Sequence, residues 1–170
     1  AEAGIAGEVV RGLEWEDVEE TGETLEQNAV LKARAVCEAT GLPSLADDTG
    51  LEVEALGGAP GVKTGRFAGE HATYADNVDR LLQVLGDRPD RRARFRTVMA
   101  LVFPDGAEVV AEGTVDGEIT RERGGRGGFG YDPVFSVGGT TLAEMGEEAK
   151  NRISHRARAM EALARELGQG

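Results

Sequence analysis

Residues 45–70 read LADDTGLEVEALGGAPGVKTGRFAGE, and this stretch decides the fold class and raises the first chemical question. A short apolar run, Leu45-Ala46, ends in two adjacent carboxylates, Asp47 and Asp48. Thr49 and Gly50 follow, then a second strand-like run from Leu51 to Val53. The reading is two short strands, 44–46 and 51–53, with the Asp pair at a strand-to-turn junction. Taking even one carboxylate out of water is costly, so packing alone is a poor reason for Asp-Asp there. Carboxylates at a strand end beside a small turn are a common way to hold a divalent cation against a phosphate. An acidic turn in an acidic protein would carry the same letters. The glycines and proline of Gly57-Gly58-Ala59-Pro60-Gly61 allow a sharp turn and a close backbone approach to a ligand.

Outward from this stretch the elements alternate in kind. Thr24 and Gln27 have the spacing of a capping box, which predicts a helix running to about Thr40. Ala29, Leu31, Ala33, Val36 and Cys37 supply much of its apolar surface, Gly41 stops it and Pro43 cannot continue it. Thr73 caps a second predicted helix, 74–85, with Val78, Leu81, Leu82 and Leu85 at helical spacing. Residues 94–103 and 107–115 read as a hairpin across Pro104-Asp105-Gly106, with Phe95, Thr97, Met99, Leu101 and Phe103 on one face. Ser154 opens a last helix with Ala157, Met160, Leu163, Ala164 and Leu167 on one side. Helices mixed with isolated strands and a hairpin indicate an α/β domain with a mixed sheet. There is no internal repeat and no linker, so a single domain over 1–170 is expected.

Composition narrows the function classes. The chain has 170 residues, is 40% hydrophobic and 29% charged, and no run approaches the ~20 apolar residues of a membrane span. The start, AEAGIAGEVV, lacks the blocks of a signal peptide, so the cytoplasm is expected. Cys37 stands alone and reads as a small buried hydrophobe rather than a reactive thiol. With 31 acidic and 19 basic residues the net charge is −12, a field that repels nucleic-acid backbones. A polyanionic small molecule needs locally gathered cations or a bridging metal. His71 and His155 are too few and too dispersed for zinc, so a divalent ion here would be Mg²⁺ or Mn²⁺ on oxygens. No nucleophile signature appears, and covalent catalysis has no candidate.

Two further segments carry chemistry. GGRGGFGYDPVF, residues 124–135, sets Phe129, Tyr131 and Asp132 among glycines. An aromatic on such a loop can lie flat on a nucleobase, worth ~1–3 kcal/mol per base. Asp132 is placed to accept from a base edge or to order nearby donors. The other reading is a glycine-rich hairpin whose Phe plugs the core. KNRISHRARAM, residues 150–160, gathers Lys150, Arg152, His155, Arg156 and Arg158 in an acidic chain. His155 and Arg156 fall in the first helical turn, where cations are disfavoured, and a broken local rule suggests function. A solvated basic face balancing Glu147 and Glu148 is the alternative.

Together, in this order, EETGETLEQNAVLKARA, LADDTGLEVEALGGAPGVKTGRFAGE, GGRGGFGYDPVF and KNRISHRARAM resemble the Ham1-type inosine triphosphate pyrophosphatase family, enzymes that clear deaminated purine nucleoside triphosphates. The resemblance runs from about Glu19 to the C-terminal helix. It implies an ITPase-like fold: an elongated, two-lobed α/β structure with a central cleft, usually a homodimer. By position, Asp48 matches the catalytic, metal-associated Asp and Thr49 a substrate contact. Glu19 or Glu20 matches the acidic residue that helps hold Mg²⁺. Phe129, Gly130, Tyr131 and Asp132 match the base-binding loop, and Lys150, His155 and Arg156 the substrate-binding residues near the last helix.

The implied reaction is Mg²⁺-dependent hydrolysis of ITP, dITP or XTP to the monophosphate and pyrophosphate. Some positions depart from the pattern. In the family a strand leads into a Thr/Ser-x-Asn-x-x-Lys phosphate loop and then a long helix, whereas Ala1 here reads as the end of that helix. Asn28 and Lys32 are one residue too far apart for the motif and lie in the predicted helix. Gln27 stands where many members have Glu, and Lys63-Thr64-Gly65 replaces Tyr-Ser-Ala. A silent nucleotide-binding or dimer-forming homologue is therefore the rival reading. An aspartyl-phosphate phosphatase needs Asp-x-Asp at its strand end, which Asp47-Asp48 does not supply.

Overall fold

Thr24 begins the first regular element as expected, its hydroxyl accepting from the Gln27 N–H. The reciprocal bond is shifted by one residue: the Gln27 side chain accepts from the N–H of Glu23, at 2.7 Å. Helix α1 (Leu25–Thr40) ends at Gly41, whose φ of 69° lets its N–H reach the Cys37 carbonyl. Leu25, Ala29, Ala33 and Cys37 form a buried stripe at four-residue spacing, and Asn28 is buried beside it. Cys37 is buried as its small-hydrophobe reading requires. The computed structural model describes residues 8–168, so the helix end expected at Ala1 lies outside the described residues.

Strand β1 (Ser44–Val53) corrects the opening expectation. Two short strands around an acidic turn are replaced by one strand of 10 residues that carries Asp47 and Asp48 in its middle. The physical reason lies on its two faces. Adjacent strand residues point to opposite sides, and each carboxylate meets a cation from a different helix, as described below. Neither is driven out to a turn. Gly50 is buried, which a ligand-exposed turn would not require.

The remaining strands are β2 (Pro60–Gly61), β3 (Arg92–Val102), β4 (Glu108–Ile119), β5 (Phe135–Val137) and β6 (Thr140–Thr141). Their order in the sheet is β2-β1-β3-β4-β5-β6. Pairing is antiparallel for β1 with β2 (Leu51 opposite Gly61), β4 with β5 (Ile119 opposite Phe135) and β5 with β6 (Val137 opposite Thr140). The α/β class is the expected one. Helix α2 (Tyr74–Leu85) starts in a full capping box between Thr73 and Asp76. A short helix α3 (Glu147–Arg152) precedes α4 (His155–Gly168). No described helix is long and apolar enough to cross a membrane.

Contacts divide the chain into two compact units. The first holds 1–48, 97–113 and 155–170; the second holds 49–96 and 114–154. The first contains a core of Met99, Ala111, Ala159 and Leu163, flanked by Leu101, Val109 and Met160. The second contains a larger core in which Leu51, Val53, Leu81, Leu85, Ile119 and Phe135 are almost wholly buried. The Phe95 and Phe135 rings meet edge to face there, with centroids 4.7 Å apart.

Candidate active site

Helix α1 turns one face toward β1 within the first unit, and that face carries polar side chains at two positions. Lys32 donates to Glu20 at 2.7 Å and to Asp48 Oδ1 at 3.4 Å. Asn28, one turn earlier, lies near the same carboxylate and favours its charged form. Its amide is oriented by Gly22, whose N–H donates to Asn28 Oδ1 at 2.7 Å. A Cβ on Gly22 would lie 2.5 Å from that oxygen, so the approach needs glycine. Asp48 Oδ2 is buried and has no hydrogen-bond partner in the protein.

The electrostatics follow from this crowding. Burial pushes the Asp48 carboxyl above the usual aspartate range, and the like charge of Glu20 adds to it. Lys32 and Asn28 pull the other way and do not cancel it. For Lys32, burial lowers the ammonium, but the hydrogen bond to Glu20 and the charges of Asp48 and Glu20 outweigh it, so it stays protonated. Asp48 thus has Oδ1 held by Lys32 and Oδ2 buried and unengaged, poised to take a proton. Between the two glutamates named from sequence, Glu20 stands in this cluster, whereas Glu19 is exposed.

On the opposite face of β1, Asp47 accepts from Arg156 Nε at 3.0 Å. Arg156 is on the first turn of α4, beside His155, and its charge at that helix start is compensated by Asp47. His155 Nδ1 lies 2.5 Å from the Thr97 hydroxyl of β3.

In the second unit, the glycine-rich loop separates its aromatics. Phe129 is 65% exposed, which excludes the core-plug reading; Tyr131, at 3%, takes that place. The Tyr131 hydroxyl donates to the Thr64 carbonyl at 2.8 Å, and burial pushes the phenol well above its usual range. Thr64 also accepts from the Leu51 N–H and donates to the Gly61 carbonyl, so Lys63-Thr64-Gly65 fastens β1, β2 and the loop. Asp132 is buried and accepts from Lys150 at 2.7 Å and from the Phe129 N–H at 3.1 Å. A Cβ on Gly128 would lie 2.0 Å from Asp132 Oδ2, and Gly130 has φ +59. Lys150, on α3 rather than α4, stands 5.7 Å from the centre of the Phe129 ring. The result is an exposed ring on an ordered loop with a cation at its face. Thr49, the residue after Asp48, is half-buried.

The cluster suits one kind of metal. Among the described residues no three His, Cys, Asp or Glu side chains form a metal cage. Mg²⁺ is commonly held by one or two carboxylates completed by substrate phosphates and water. Asp48, with a buried unengaged oxygen, and Glu20 beside it fit that description. Sequence reading missed Asn28 and Lys32 as site residues because it weighed them against a loop motif. Their four-residue spacing is that of one helix face, and that signal was available. The pairing of Asp47 with Arg156 and the place of Thr97 carried no such signal.

Comparison with known proteins agrees in extent and in kind. The Ham1 family profile matches residues 3–166. A dITP/XTP pyrophosphatase of Porphyromonas gingivalis is 54% identical over 151 residues, covering 87% of this chain and 77% of that protein. One from Leifsonia xyli subsp. xyli is 47% identical over 163 residues, covering 94% and 82%. The structure of the Staphylococcus aureus Ham1 protein matches with a TM-score of 0.86 at 45% identity, covering 91% of this chain and 81% of that one. A nucleoside-triphosphatase / dITP/XTP pyrophosphatase from Mycobacterium abscessus matches with a TM-score of 0.79 at 47% identity, covering 89% and 79%.

Proposed function

The chain belongs to the Ham1 family, and we propose that it hydrolyses the non-standard purine nucleoside triphosphates ITP, dITP and XTP to the monophosphate and pyrophosphate. The observation that carries the reading is the buried, unengaged Oδ2 of Asp48 beside Lys32, Asn28 and Glu20. The Asp48 carboxylate takes a proton from the attacking water, whose oxygen bonds to the α-phosphorus. The bond from that phosphorus to the α–β bridging oxygen breaks, and pyrophosphate leaves. Lys32 steadies the Asp48 charge through Oδ1. Asp48 and Glu20 are the residues that would hold Mg²⁺, which when bound supplies charge neutralisation across the α- and β-phosphates.

Base choice is assigned to the residues that match the family's base-binding segments. Phe129 offers its exposed face to the purine, with Lys150 and Asp132 ordering the loop and Thr49 and Gly130 as backbone neighbours of the substrate. His155 and Arg156 donate to the carbonyl at C6. Arg156 binds Asp47 through Nε, and a guanidinium has four further N–H donors. Adenine presents an amino group at that position, so donors would face a donor. Unpaired groups of this kind reject a base by several kcal/mol. The presence of Lys32 and Asn28 at Asp48 favours an active enzyme over the silent homologue.

The test is turnover of ITP, XTP and ATP with magnesium, with products separated. ITP and XTP should be cleaved far faster than ATP, giving monophosphate and pyrophosphate. A nucleoside diphosphate and single phosphate would place attack elsewhere and overturn the reading. A homodimer is part of the proposal, supported by the family's usual assembly; light scattering of the purified chain checks it.

A further inference from the structure

We infer that Thr97 is a positioning residue that fixes the ring tautomer of His155 and so sets the preference for a 6-oxo over a 6-amino purine. The inference deepens the proposed function and rests on His155 reading the base. Thr97 is fully buried on β3, and its hydroxyl lies 2.5 Å from His155 Nδ1. The backbone beneath that ring is equally constrained. Gly113 of β4 is so close to the first turn of α4 that a Cβ there would stand 2.2 Å from the His155 carbonyl oxygen and 2.3 Å from the Ala159 nitrogen. Ala159 and Leu163 have no exposed surface and seat the same helix among Met99 and Ala111. With the Cα held by this contact, the hydroxyl fixes what rotation remains.

The chemistry turns on which nitrogen carries the proton. A neutral imidazole has one N–H and one bare nitrogen, and a hydroxyl can donate to the bare one or accept from the other; to Thr97 we assign the donating role toward Nδ1. When the Thr97 hydroxyl donates to Nδ1, the ring proton sits on Nε2. Nε2 is then a donor, matched to a C6 carbonyl and mismatched to an amino group. The reverse arrangement would make Nε2 an acceptor and reverse the preference. One strand hydroxyl thus sets the sign of the base choice without touching the base.

The chain has only 2 histidines, so His71→Gln leaves a single imidazole for nitrogen-15 spectroscopy. Above its titration the native ring should be the Nε2–H form. Thr97→Val should shift it toward Nδ1–H and lower the ITP-to-ATP ratio of kcat/KM by about tenfold, the worth of one lost hydrogen bond. Thr97→Ser should restore both. If the valine variant does not fold, the native spectrum and the serine variant decide. A native Nδ1–H ring, or an unchanged tautomer and ratio in folded Thr97→Val, overturns the inference. His155→Ala measured alongside separates the two levels. An unaltered ratio there overturns the base reading of His155, and with it the specificity role of Thr97, whatever the ring spectrum shows.

Discussion

At Asp48, catalysis and stability pull against each other. Its carboxyl is raised, so the native state binds this proton more tightly than the unfolded chain does. Stability is then lost as pH rises from the ordinary aspartate value, about 3.9, through the raised native value, and the penalty persists above it. Asp48→Asn removes that penalty together with the base. Hydrolysis is expected to fall by ~10²–10⁴, while Tm at neutral pH holds or rises; a lowered Tm in a pH series of melts would contradict the sign. Lys32→Met should act in the other direction. It leaves Glu20 and Asp48 without their shared cation, so the acid limb of kcat/KM should move up and the rate at neutral pH should drop. An unmoved limb would show that Lys32 does not hold Asp48 in its working state. Asp48 was legible in the sequence from its chemistry. The pairing of Asp47 with Arg156 and the place of Thr97 were not, because a strand Asp and a strand Thr take such roles only through what the fold sets opposite them.

The helices and the hairpin were readable because their signals are local: the Thr24 and Thr73 caps, the Gly41 stop, and apolar spacing in α2 and α4. Strand β1 was misread as two pieces because Asp-Asp-Thr-Gly has turn composition and its compensating cations, Lys32 and Arg156, lie far away in the chain. The two-residue strands β2 and β6 and the six-residue α3 are too short for any periodicity to show. The contact between β4 and α4 at Gly113 offers a test at this scale. Gly113→Ala drives a methyl into the helix backbone. Overpacking of that kind costs about 1–3 kcal/mol, with ~2–4 °C of Tm for each kcal/mol in a chain of this size. The same change should loosen ITP-over-ATP discrimination, since His155 and Arg156 ride on that turn. A melt and a two-substrate assay check both, and native values in each would mean that the turn shifts freely.

Over the whole molecule, a net charge of −12 meets a polyanionic substrate. Raising salt from about 0.01 M to about 0.1 M shortens the screening length from about 30 Å to about 10 Å. At fixed free Mg²⁺, kcat/KM for ITP is expected to rise over that range as long-range repulsion fades. A steep fall would show that the local cations Lys32, Lys150 and Arg156 outweigh the global field. The middle of β1 has a consequence of another sort. Asp47 serves the Arg156 face and Asp48 the Lys32 face by strand alternation alone. A one-residue slip in the register of β1 would send each carboxylate to the other's side. Base recognition and hydrolysis would fail in one event. In descent, this strand can change by substitution but not by gain or loss of a residue, so the two capacities are inherited together.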